Sequence, residues 1–494
     1  MQTNAEKGKS MRPAPVLSAL IAVTLTGCAD RPLETAATPP PQAAEAANVV
    51  AVPPAGLRIE SEYYTLPNGL KVVMSRDPTV PTATVGVYYG IGFRIEPRNR
   101  TGFAHLFEHL MFQGSAHAPK GQFDKIIYNA GGINNGSTRF DYTNYYEVVP
   151  SNALEAILWL EADRMRMPVI DQTVLANQQG VVANEVKVNV INQPYGGWPW
   201  LDMPQVANEN WHNAHNFYGE LGDLQSATVA DSKQFFNSFY RPNNAVLVVA
   251  GDIDTAATRA MIDRLFAGVP AGPPVQLPDL TEPRQTREKV KVKPDPLAPR
   301  PAFAAAWHVP KRNSPEWFAM GILDQILVQG EDSRLYDKLV RETGIAGGLE
   351  GGINIGLGNM FNYNGPMLWT IGFIHDASNS REQILAALDS EIEDIRNRPV
   401  SAAELERART KIRSDLYDLA NPSTRFGLID LLAVGALWEN DPNWMNRLEA
   451  GFDAVTPELL LATAREYLRP TNRSILIVQP GVPGAPAAQS GASQ

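Results

Sequence analysis

"AHLFEHLMFQG" (Ala104–Gly114) has a diverged counterpart later in this chain, "MGILDQILVQG" (Met320–Gly330). The two stretches share their apolar positions and end on the same Gln-Gly pair. Another pair of similar stretches follows at nearly the same offset, "TVADSKQFFNSFYRPNNAVLVVAG" (Thr228–Gly251) and "TPELLLATAREYLRPTNRSILIVQP" (Thr456–Pro480). Similarity at a near-constant distance indicates an internal duplication, so we predict two related halves.

Each half contains the same succession of predicted elements. Each begins with strand-like apolar runs, such as "ATVGVYYG" (Ala83–Gly90) and "AFAAAWHV" (Ala302–Val309), which precede an amphipathic helix. Each ends with a helix that opens on a capping threonine, Thr228 or Thr456, followed by an Arg-Pro-x-Asn turn and an apolar strand. This order predicts an α+β fold made of two homologous halves of the α/β-sandwich type.

The length of 494 residues also favours more than one domain, because single cores seldom grow beyond roughly 250–300 residues. The stretch "GVPAGPPVQLPDLTEPRQ" (Gly268–Gln285) is rich in proline and is typical of an extended connector. The predicted segments are a lipoprotein-type signal peptide (1–28), a disordered Ala/Pro-rich tether (29–55), an N-terminal domain (56–267), a linker (268–287), a C-terminal domain (288–481) and a flexible tail (482–494).

The first residues are typical of an export signal. Basic residues precede an apolar run from Val16 to Leu25, which is too short to span a bilayer but long enough for a signal sequence. The run ends in Leu-Thr-Gly-Cys28, which resembles a bacterial lipobox. The resemblance implies that Cys28 is lipidated and anchors a periplasmic protein to a bacterial membrane. The outer membrane is the favoured one, and a secreted soluble form is disfavoured. An ordinary secretory cleavage beside a free cysteine is the alternative.

Composition argues against other classes of protein. The formal net charge is −10 and no Lys/Arg-rich run is present, whereas nucleic-acid binding needs a concentrated basic face. Cys28 is the one cysteine, so the chain cannot form an internal disulfide. In an oxidising compartment its stability must therefore come from packing or from a metal ion.

The first copy of the repeat carries His105, Glu108 and His109, which share one face of a helix because residues three and four apart are neighbours there. Two imidazoles one turn apart can bind the same tetrahedral zinc ion, and a carboxylate beside them can take a proton from metal-bound water. A solvated helix face is the simpler interpretation. Large apolar residues surround the trio, however, and make unpaired ionisable groups costly, which favours the metal site.

The order His-x-x-Glu-His resembles the motif of the inverzincins, the zinc metallopeptidases of the pitrilysin family. In that family a glutamate on a later helix is the third ligand, and "NQQGVVANEVKVNVINQPYG" (Asn177–Gly196) is similar to the segment that carries it. The resemblance implies that Glu185 completes one zinc site with the two histidines and that Glu108 is the general base. An ordinary surface glutamate is the alternative for Glu185. Relatives often have a further glutamate where this chain has Gln178, which implies a less negative environment around the metal.

The stretch "GGINNGSTRFDYTNYYEVVP" (Gly131–Pro150) is similar to the family segment whose edge strand receives an extended substrate. A free strand edge binds peptides through main-chain hydrogen bonds, whatever their sequence. The match implies that Asn135, Gly136 and Ser137 line this edge. A plain hairpin rich in turn residues is the alternative.

The second copy of the repeat has lost the metal-binding residue types, because Gly321, Asp324 and Gln325 stand where the first copy has His, Glu and His. Self-sufficient family members also place an Arg and a Tyr from their second half near the zinc, where this chain has Val340 and Gly347. The chain resembles the zinc-carrying subunit of mitochondrial processing peptidase. This implies a hetero-oligomer with a related subunit that lacks His-x-x-Glu-His and supplies the Arg/Tyr pair. A homodimer is the alternative.

We therefore expect a zinc metalloendopeptidase that cleaves peptides or unfolded protein segments. The alternative is a non-catalytic peptide-binding or assembly subunit on the same fold. The intact His-x-x-Glu-His argues against it, because a site that no longer catalyses has no chemical reason to keep both histidine ligands and the glutamate base. A nucleotide-dependent oxidoreductase is disfavoured because "GIGFRIEPRNRTGFAH" (Gly90–His105) lacks the third glycine of a dinucleotide motif. His212 and His215 have no carboxylate at ligand spacing and are interpreted as ordinary loop histidines.

Overall fold

Two mixed β-sheets organise this computed structural model, which describes residues 56–421 and 423–481. Cys28 with its expected lipidation, the predicted signal peptide and the predicted tail lie outside the described residues. The strands are β1 (Glu62–Thr65), β2 (Lys71–Arg76), β3 (Thr82–Tyr89), β4 (Ile133–Thr138), β5 (Thr143–Pro150), β6 (Ala245–Gly251), β7 (Lys289–Asp295), β8 (Ala302–His308), β9 (Glu350–Ile353), β10 (Leu368–Ile374) and β11 (Arg473–Pro480).

Helices connect and cover these strands. They are α1 (Phe103–Leu110), α2 (Gln122–Asn129), α3 (Leu154–Arg166), α4 (Gln172–Val186), α5 (Met203–Ala207), α6 (Trp211–Ala214), α7 (Leu221–Ser226), α8 (Val229–Phe239), α9 (Thr255–Phe266), α10 (Pro315–Leu327), α11 (Arg334–Tyr336), α12 (Arg381–Asn397), α13 (Ala402–Leu419), α14 (Phe426–Val434), α15 (Leu448–Asp453) and α16 (Pro457–Tyr467). Wider π-helical turns continue α4, α11 and α14 over Lys187–Ile191, Asp337–Glu342 and Gly435–Glu439. Short 3₁₀ turns lie at Phe93–Ile95, Ser151–Ala153, Pro242–Asn244, Pro442–Arg447 and Pro470–Asn472.

The two sheets repeat one topology. The strand order is β1-β2-β6-β3-β5-β4 in the first sheet and β7-β11-β8-β10-β9 in the second. The pairs β2/β6 and β7/β11 are parallel, and the other pairs are antiparallel. Apart from β1, the strands of the two sheets therefore correspond in order and direction. The expected fold class, two α/β halves related by internal duplication, is confirmed.

The repeated stretches of sequence form equivalent elements. The first pair forms α1 and α10, and the second pair forms α8 with β6 and α16 with β11. Thr228 caps α8 by accepting a hydrogen bond from the Asp231 N–H, and Thr456 caps α16 by accepting one from the Leu459 N–H. The stretch from α9 to β7 contains neither helix nor strand, as expected of a connector. The domain bounds themselves stay a prediction.

Each sheet has one face that is covered by a helix of the other half. The first sheet carries α1 and α3 on one face, and α14 packs on β3 and β6 from the other. Gly86 of β3 makes room for this helix, since a Cβ there would lie 2.7 Å from Ile429 Cδ1. In return, α5 packs on β7, β8 and β11, where Met203 and Ala207 contact small residues such as Ala304. The halves thus exchange a helix in both directions.

Buried polar contacts reinforce this exchange. Arg94 is completely buried and donates 2.8 Å to Asp141 Oδ1 and 2.9 Å to the Pro366 carbonyl, so it joins the two halves. Tyr142 donates 2.7 Å from its hydroxyl to Asp430 in the middle of α14. Because these groups are shielded from water, the loss of one partner would leave another unpaired.

No helix in the described part of the chain combines the length and the apolar character that crossing a bilayer requires.

The exchange of α5 and α14 predicts that neither half is stable alone. Residues 56–267 produced as a separate chain would expose the apolar face that α14 covers, and 288–481 would expose the face that α5 covers. We expect each fragment to aggregate and co-expression of both to give a soluble complex, as checked by size-exclusion chromatography. A monomeric, cooperatively unfolding 56–267 fragment would contradict this expectation.

Candidate metal centre

The helix α1 is held at the margin of the first sheet by its apolar residues. Phe103, Leu106, Phe107 and Leu110 are buried in the core that the sheet forms with α3. Around the remaining face of α1 lie β4, β5 and α4. His105 is therefore 3 % exposed, while Glu108 and His109 are partly open to solvent.

Three side chains converge beside α1. The Nε2 atoms of His105 and His109 are 3.3 Å apart, and Glu185 of α4 places carboxylate oxygens 3.6 Å and 3.2 Å from them. The ligand atoms lie within 4.8 Å of one another, and among the described residues no other His, Cys, Asp or Glu side chains form such a group. Two ligands of a tetrahedral zinc ion at ~2.0–2.1 Å from the metal are themselves roughly 3.3 Å apart. Two imidazoles and a carboxylate at this separation fit zinc.

The electrostatics of the cluster suit a cation. Burial, and then the neighbouring His109, lower the pKa of His105 to about 4, so this imidazole is neutral at pH 7. Burial opposes ionisation of Glu185, but the hydrogen bond from His109 and the charges of the histidines outweigh it and hold the pKa of Glu185 below its ordinary value. A neutral imidazole and an ionised carboxylate are the forms in which these groups bind a metal.

Glu108 lies beside the cluster and is not one of its members. Its Oε2 accepts a 2.7 Å hydrogen bond from the Thr138 hydroxyl at the end of β4. Burial raises the pKa of Glu108, although this hydrogen bond and the nearby His109 oppose the rise. A carboxylate with a raised pKa next to a cation site is suited to accept and return a proton.

The strand β4 is the last strand of the first sheet, so one of its main-chain edges is not paired with a strand of the described chain. Asn135, Gly136 and Ser137 lie on it, opposite Tyr146, Tyr145 and Asn144 of β5. Gly136 brings the strand against the motif helix, because a Cβ there would lie 3.2 Å from Glu108 Cγ. Ser137 donates its hydroxyl to Asn144 Oδ1 at 2.5 Å and so braces the pairing with β5. The three residues predicted to line a substrate edge are thus beside the predicted base.

Gln178 is buried in the same helix as Glu185, but its side-chain amide lies 3.5 Å from Asn177 Oδ1. The structure does not join Gln178 to the His105/His109/Glu185 cluster through a hydrogen bond within the described residues. Its predicted influence on the metal stays a prediction.

Sequence reasoning missed three residues that contact the cluster or its helix. Thr138 binds Glu108, the Tyr218 hydroxyl donates 3.1 Å to Glu185 Oε1, and Glu96 accepts the main-chain N–H groups of Gly102 and Ala104 at the start of α1. Thr138 directly follows the predicted edge residues, and Tyr218 lies in the stretch "HNFYG". The distance along the sequence from either residue to its partner does not predict the contact, because the contact depends on the tertiary fold.

The second half keeps the shape of the site without its chemistry. A Cβ on Gly321, the counterpart of His105, would lie 2.7 Å from Met360 Cε, so Met360 occupies the space of an imidazole. Gln325 donates 2.8 Å to Asp415 of α13, much as His109 faces Glu185 of α4. Asp324, the counterpart of Glu108, accepts hydrogen bonds from Trp369 and Gln329.

The positions where self-sufficient family members have the Arg/Tyr pair carry no such side chains in this chain. Val340 and Gly347 lie in and after the π-helical turn that follows α11. The neighbouring Arg341 is half exposed and is held by Asp337 at 2.7 Å and by Glu331 at 3.1 Å. Its guanidinium is therefore engaged in surface ion pairs.

Comparison with known proteins agrees with this fold. Residues 71–195 match the family model described as "Insulinase (Peptidase family M16)", and residues 226–412 match the model described as "Peptidase M16 inactive domain". The chain belongs to the M16 peptidase family. The His105/His109/Glu185 cluster lies in the part that matches the insulinase model, and the altered copy at Gly321, Asp324 and Gln325 lies in the part that matches the model called inactive.

Several relatives align with most of this chain. The "Zinc protease PqqE" of Helicobacter pylori is 25% identical over 430 residues, which cover 85% of this chain and 93% of the relative. The "Mitochondrial-processing peptidase subunit beta" of Saccharomyces cerevisiae is 22% identical over 368 residues, which cover 73% of this chain and 78% of the relative. The crystal structure of a protease from Helicobacter pylori superposes with a TM-score of 0.78 at 23% identity and covers 86% of this chain and 100% of that one.

The altered copy of the site predicts a pH effect on stability. Burial raises the pKa of Asp324 to about 6, whereas an unfolded chain has a carboxyl pKa of about 3.9. Between these values the folded state holds a proton that the unfolded chain releases, so the free energy of unfolding falls as the pH rises through 6. The loss amounts to about 2 kcal/mol between pH 4 and pH 7.

The variant Asp324→Asn cannot ionise and should lack this loss. Its free energy of unfolding in urea should exceed that of the wild type at pH 7.5 and approach it near pH 4. The exposed Asp376→Asn is the control and should follow the wild type at both pH values. A difference in the free energy of unfolding between the wild type and Asp324→Asn that stays constant from pH 4 to pH 7.5 would show that Asp324 is ionised throughout this range.

Proposed function

We propose that this M16 chain is a zinc metalloendopeptidase that cleaves peptides or unfolded protein segments. The observation that carries the proposal is the convergence of His105, His109 and Glu185, with their ligand atoms within 4.8 Å, next to a carboxylate that is not part of the cluster. An assembly subunit needs neither the three ligands nor the separate base. The relatives named zinc proteases support the same conclusion.

His105, His109 and Glu185 would hold the single zinc ion, two through imidazole nitrogen and one through a carboxylate oxygen. Zinc bound there supplies Lewis-acid chemistry, which polarises the scissile carbonyl and makes a water molecule more acidic.

Glu108 would act as the general base on the attacking water. Burial raises its pKa and so strengthens it as a proton acceptor, and the hydrogen bond from Thr138 fixes Oε2. The other oxygen is left to take the proton from water and later to pass it to the leaving amine.

The free edge of β4 would hold the substrate as an added strand. Those main-chain groups of the stretch from Asn135 to Ser137 that point away from β5 offer hydrogen bonds to any extended peptide, which gives affinity without strict sequence preference. The close approach of Gly136 to Glu108 brings such a strand alongside the base. Folded proteins cannot present a free extended segment, so unfolded segments are the expected substrates.

Substitution of the base tests this function. Glu108→Gln keeps the size of the side chain and its hydrogen bond to Thr138 but removes the proton acceptor. We expect zinc content to stay at one ion per chain and kcat on a fluorogenic unfolded peptide to fall by about 10²–10⁴-fold. Glu155→Gln, on the exposed surface of α3, is the matched control and should leave kcat unchanged.

Two results would contradict the proposal in different ways. A wild-type chain that binds no zinc at micromolar metal would remove the metal centre. A Glu108→Gln variant with unchanged turnover would leave the centre in place and favour the peptide-binding or assembly subunit.

We further propose that the active form is a hetero-oligomer with a related chain that lacks His-x-x-Glu-His and carries the Arg/Tyr pair. The engagement of Arg341 by Asp337 and Glu331 supports a supply from outside this chain, and one relative is named as a subunit of a peptidase. Arg and Tyr side chains placed beside the scissile bond would stabilise its developing negative charge. The export signal in the sequence points to the periplasm as the place of this assembly.

The test is a comparison of the chain alone with mixtures. We expect the addition of such a related chain from the same organism to raise kcat/KM by at least about 100-fold, which is the effect of one oxyanion donor, and to give a larger species on size exclusion. A partner whose Arg and Tyr are replaced by Ala should assemble without activating. Equal rates for the chain alone and for every mixture would refute the dependence on a partner.

A further inference from the structure

One loop touches both helices that carry the metal ligands. Phe217 lies over the His105 ring, with 4.6 Å between ring centroids, and Tyr218 meets the same ring edge-on at 5.1 Å. The Tyr218 hydroxyl also donates 3.1 Å to Glu185 Oε1 on α4. The segment 215–219 therefore bridges α1 and α4 at the ligand cluster.

The same loop is anchored at the start of α1. Glu96 is fully buried and accepts the N–H groups of Gly102 at 2.8 Å and Ala104 at 2.5 Å. His215 faces this carboxylate with Nε2 at 3.6 Å, while its ring stacks on Trp211 at 4.2 Å. A carboxylate at a helix N-terminus satisfies N–H groups that lack partners within the helix. Loop and helix are thus joined through one buried group.

The backbones of the loop and the helix meet without spare room. A Cβ on Gly102 would lie 2.3 Å from the Tyr218 carbonyl oxygen, and one on Gly219 would lie 2.2 Å from Gly102 N. Both glycines also have positive φ values, +79° and +67°, which other residues rarely adopt. The main chain at Tyr218 therefore lies directly against the start of α1.

Glu185 itself has few restraints of its own. It lies near the end of α4, just before the wider π-helical turn, and its side chain is 26% exposed. A glutamate so placed has several rotamers open to it, and a ligand site requires one of them. The hydroxyl of Tyr218 is the group that binds Oε1, while Oε2 faces His109 at 3.2 Å.

We propose that Tyr218 is a positioning residue for the metal centre: held by the 215–219 loop against α1, it fixes the carboxylate of Glu185 opposite His105 and His109. This inference rests on the proposed function, because it assigns Tyr218 a role toward the metal that these ligands would hold. Partners of this kind around a metal ligand are typically worth about 10–100-fold in metal affinity.

The variant Tyr218→Phe removes the hydroxyl and keeps the ring that packs on His105. We expect its zinc dissociation constant, measured by competition with a chromophoric chelator, to rise by about 10–100-fold. The melting temperature of the metal-free protein should stay within about 2 °C of the wild type, because a single partly buried hydrogen bond contributes little. With Co²⁺ in place of zinc, the visible absorption bands should shift in position or intensity, since the carboxylate oxygen changes its orientation.

Tyr195→Phe is the matched control. Its hydroxyl donates a hydrogen bond of similar length, 2.9 Å, to the Arg300 carbonyl away from the cluster. This variant should bind zinc like the wild type and give the wild-type Co²⁺ spectrum, so that loss of a tyrosine hydroxyl in general is separated from loss of this one.

The outcomes distinguish this inference from the proposed function. Zinc binding by the wild type with an unchanged affinity and Co²⁺ spectrum in Tyr218→Phe would overturn the positioning role and leave the metallopeptidase intact. Absence of zinc binding by the wild type would overturn both. A fall in the metal-free melting temperature by more than about 5 °C together with an unchanged zinc affinity would assign Tyr218 to folding alone and would also overturn the inference.

Discussion

The exchange of one helix between the halves is the constraint on which the rest of the molecule depends. Each sheet has an apolar face that its own half leaves bare, and α14 and α5 cover these faces in opposite directions. Burial of apolar area is the main favourable term in folding, so the two halves gain much of their stability jointly. The completely buried Arg94 is paired with Asp141 of its own half and bonded to the Pro366 carbonyl of the other, so a displacement of the halves would leave one of its buried N–H groups without a partner. The second half, although it has lost the metal-binding residue types, is thus expected to be needed for the first half to fold.

This constraint explains how the two copies could diverge at the same place in the fold. The helix α10 occupies the position of α1, but Met360 fills the volume that an imidazole at Gly321 would need. Asp324 and Gln325 retain polar groups there and satisfy them internally, through Trp369 and Asp415. A polar group that is hydrogen-bonded in this way no longer needs a cation. The first half keeps the opposite arrangement, in which two imidazoles and the carboxylate of Glu185 converge with their ligand atoms within 4.8 Å of one another.

The sequence sufficed for those parts of the site that are local. His105, Glu108 and His109 follow from helical spacing alone, and the duplication follows from aligned apolar positions. Glu185 required a family resemblance, because its approach to the histidines depends on how α4 packs on α1. Thr138, Tyr218 and Glu96 could not be predicted, since their partners lie 30, 33 and 6 to 8 residues away and no periodicity relates them. The packing of α5 and α14 on the sheet of the other half also could not be predicted, because the sequence of an apolar helix does not indicate which sheet the helix covers.

The second half also reaches the metal centre through packing. Trp200 lies between the halves: a Cβ on Gly356 would be 2.5 Å from Trp200 Cβ, so the glycine allows the main chain of the second half to press against the indole. On its other side Trp200 contacts the rings of Phe217 and Tyr218, with centroids 6.0 Å and 6.2 Å away. Close-packed interiors transmit displacements because they contain little free volume. The loop that we propose positions Glu185 is therefore packed, through Trp200, against the main chain of the second half.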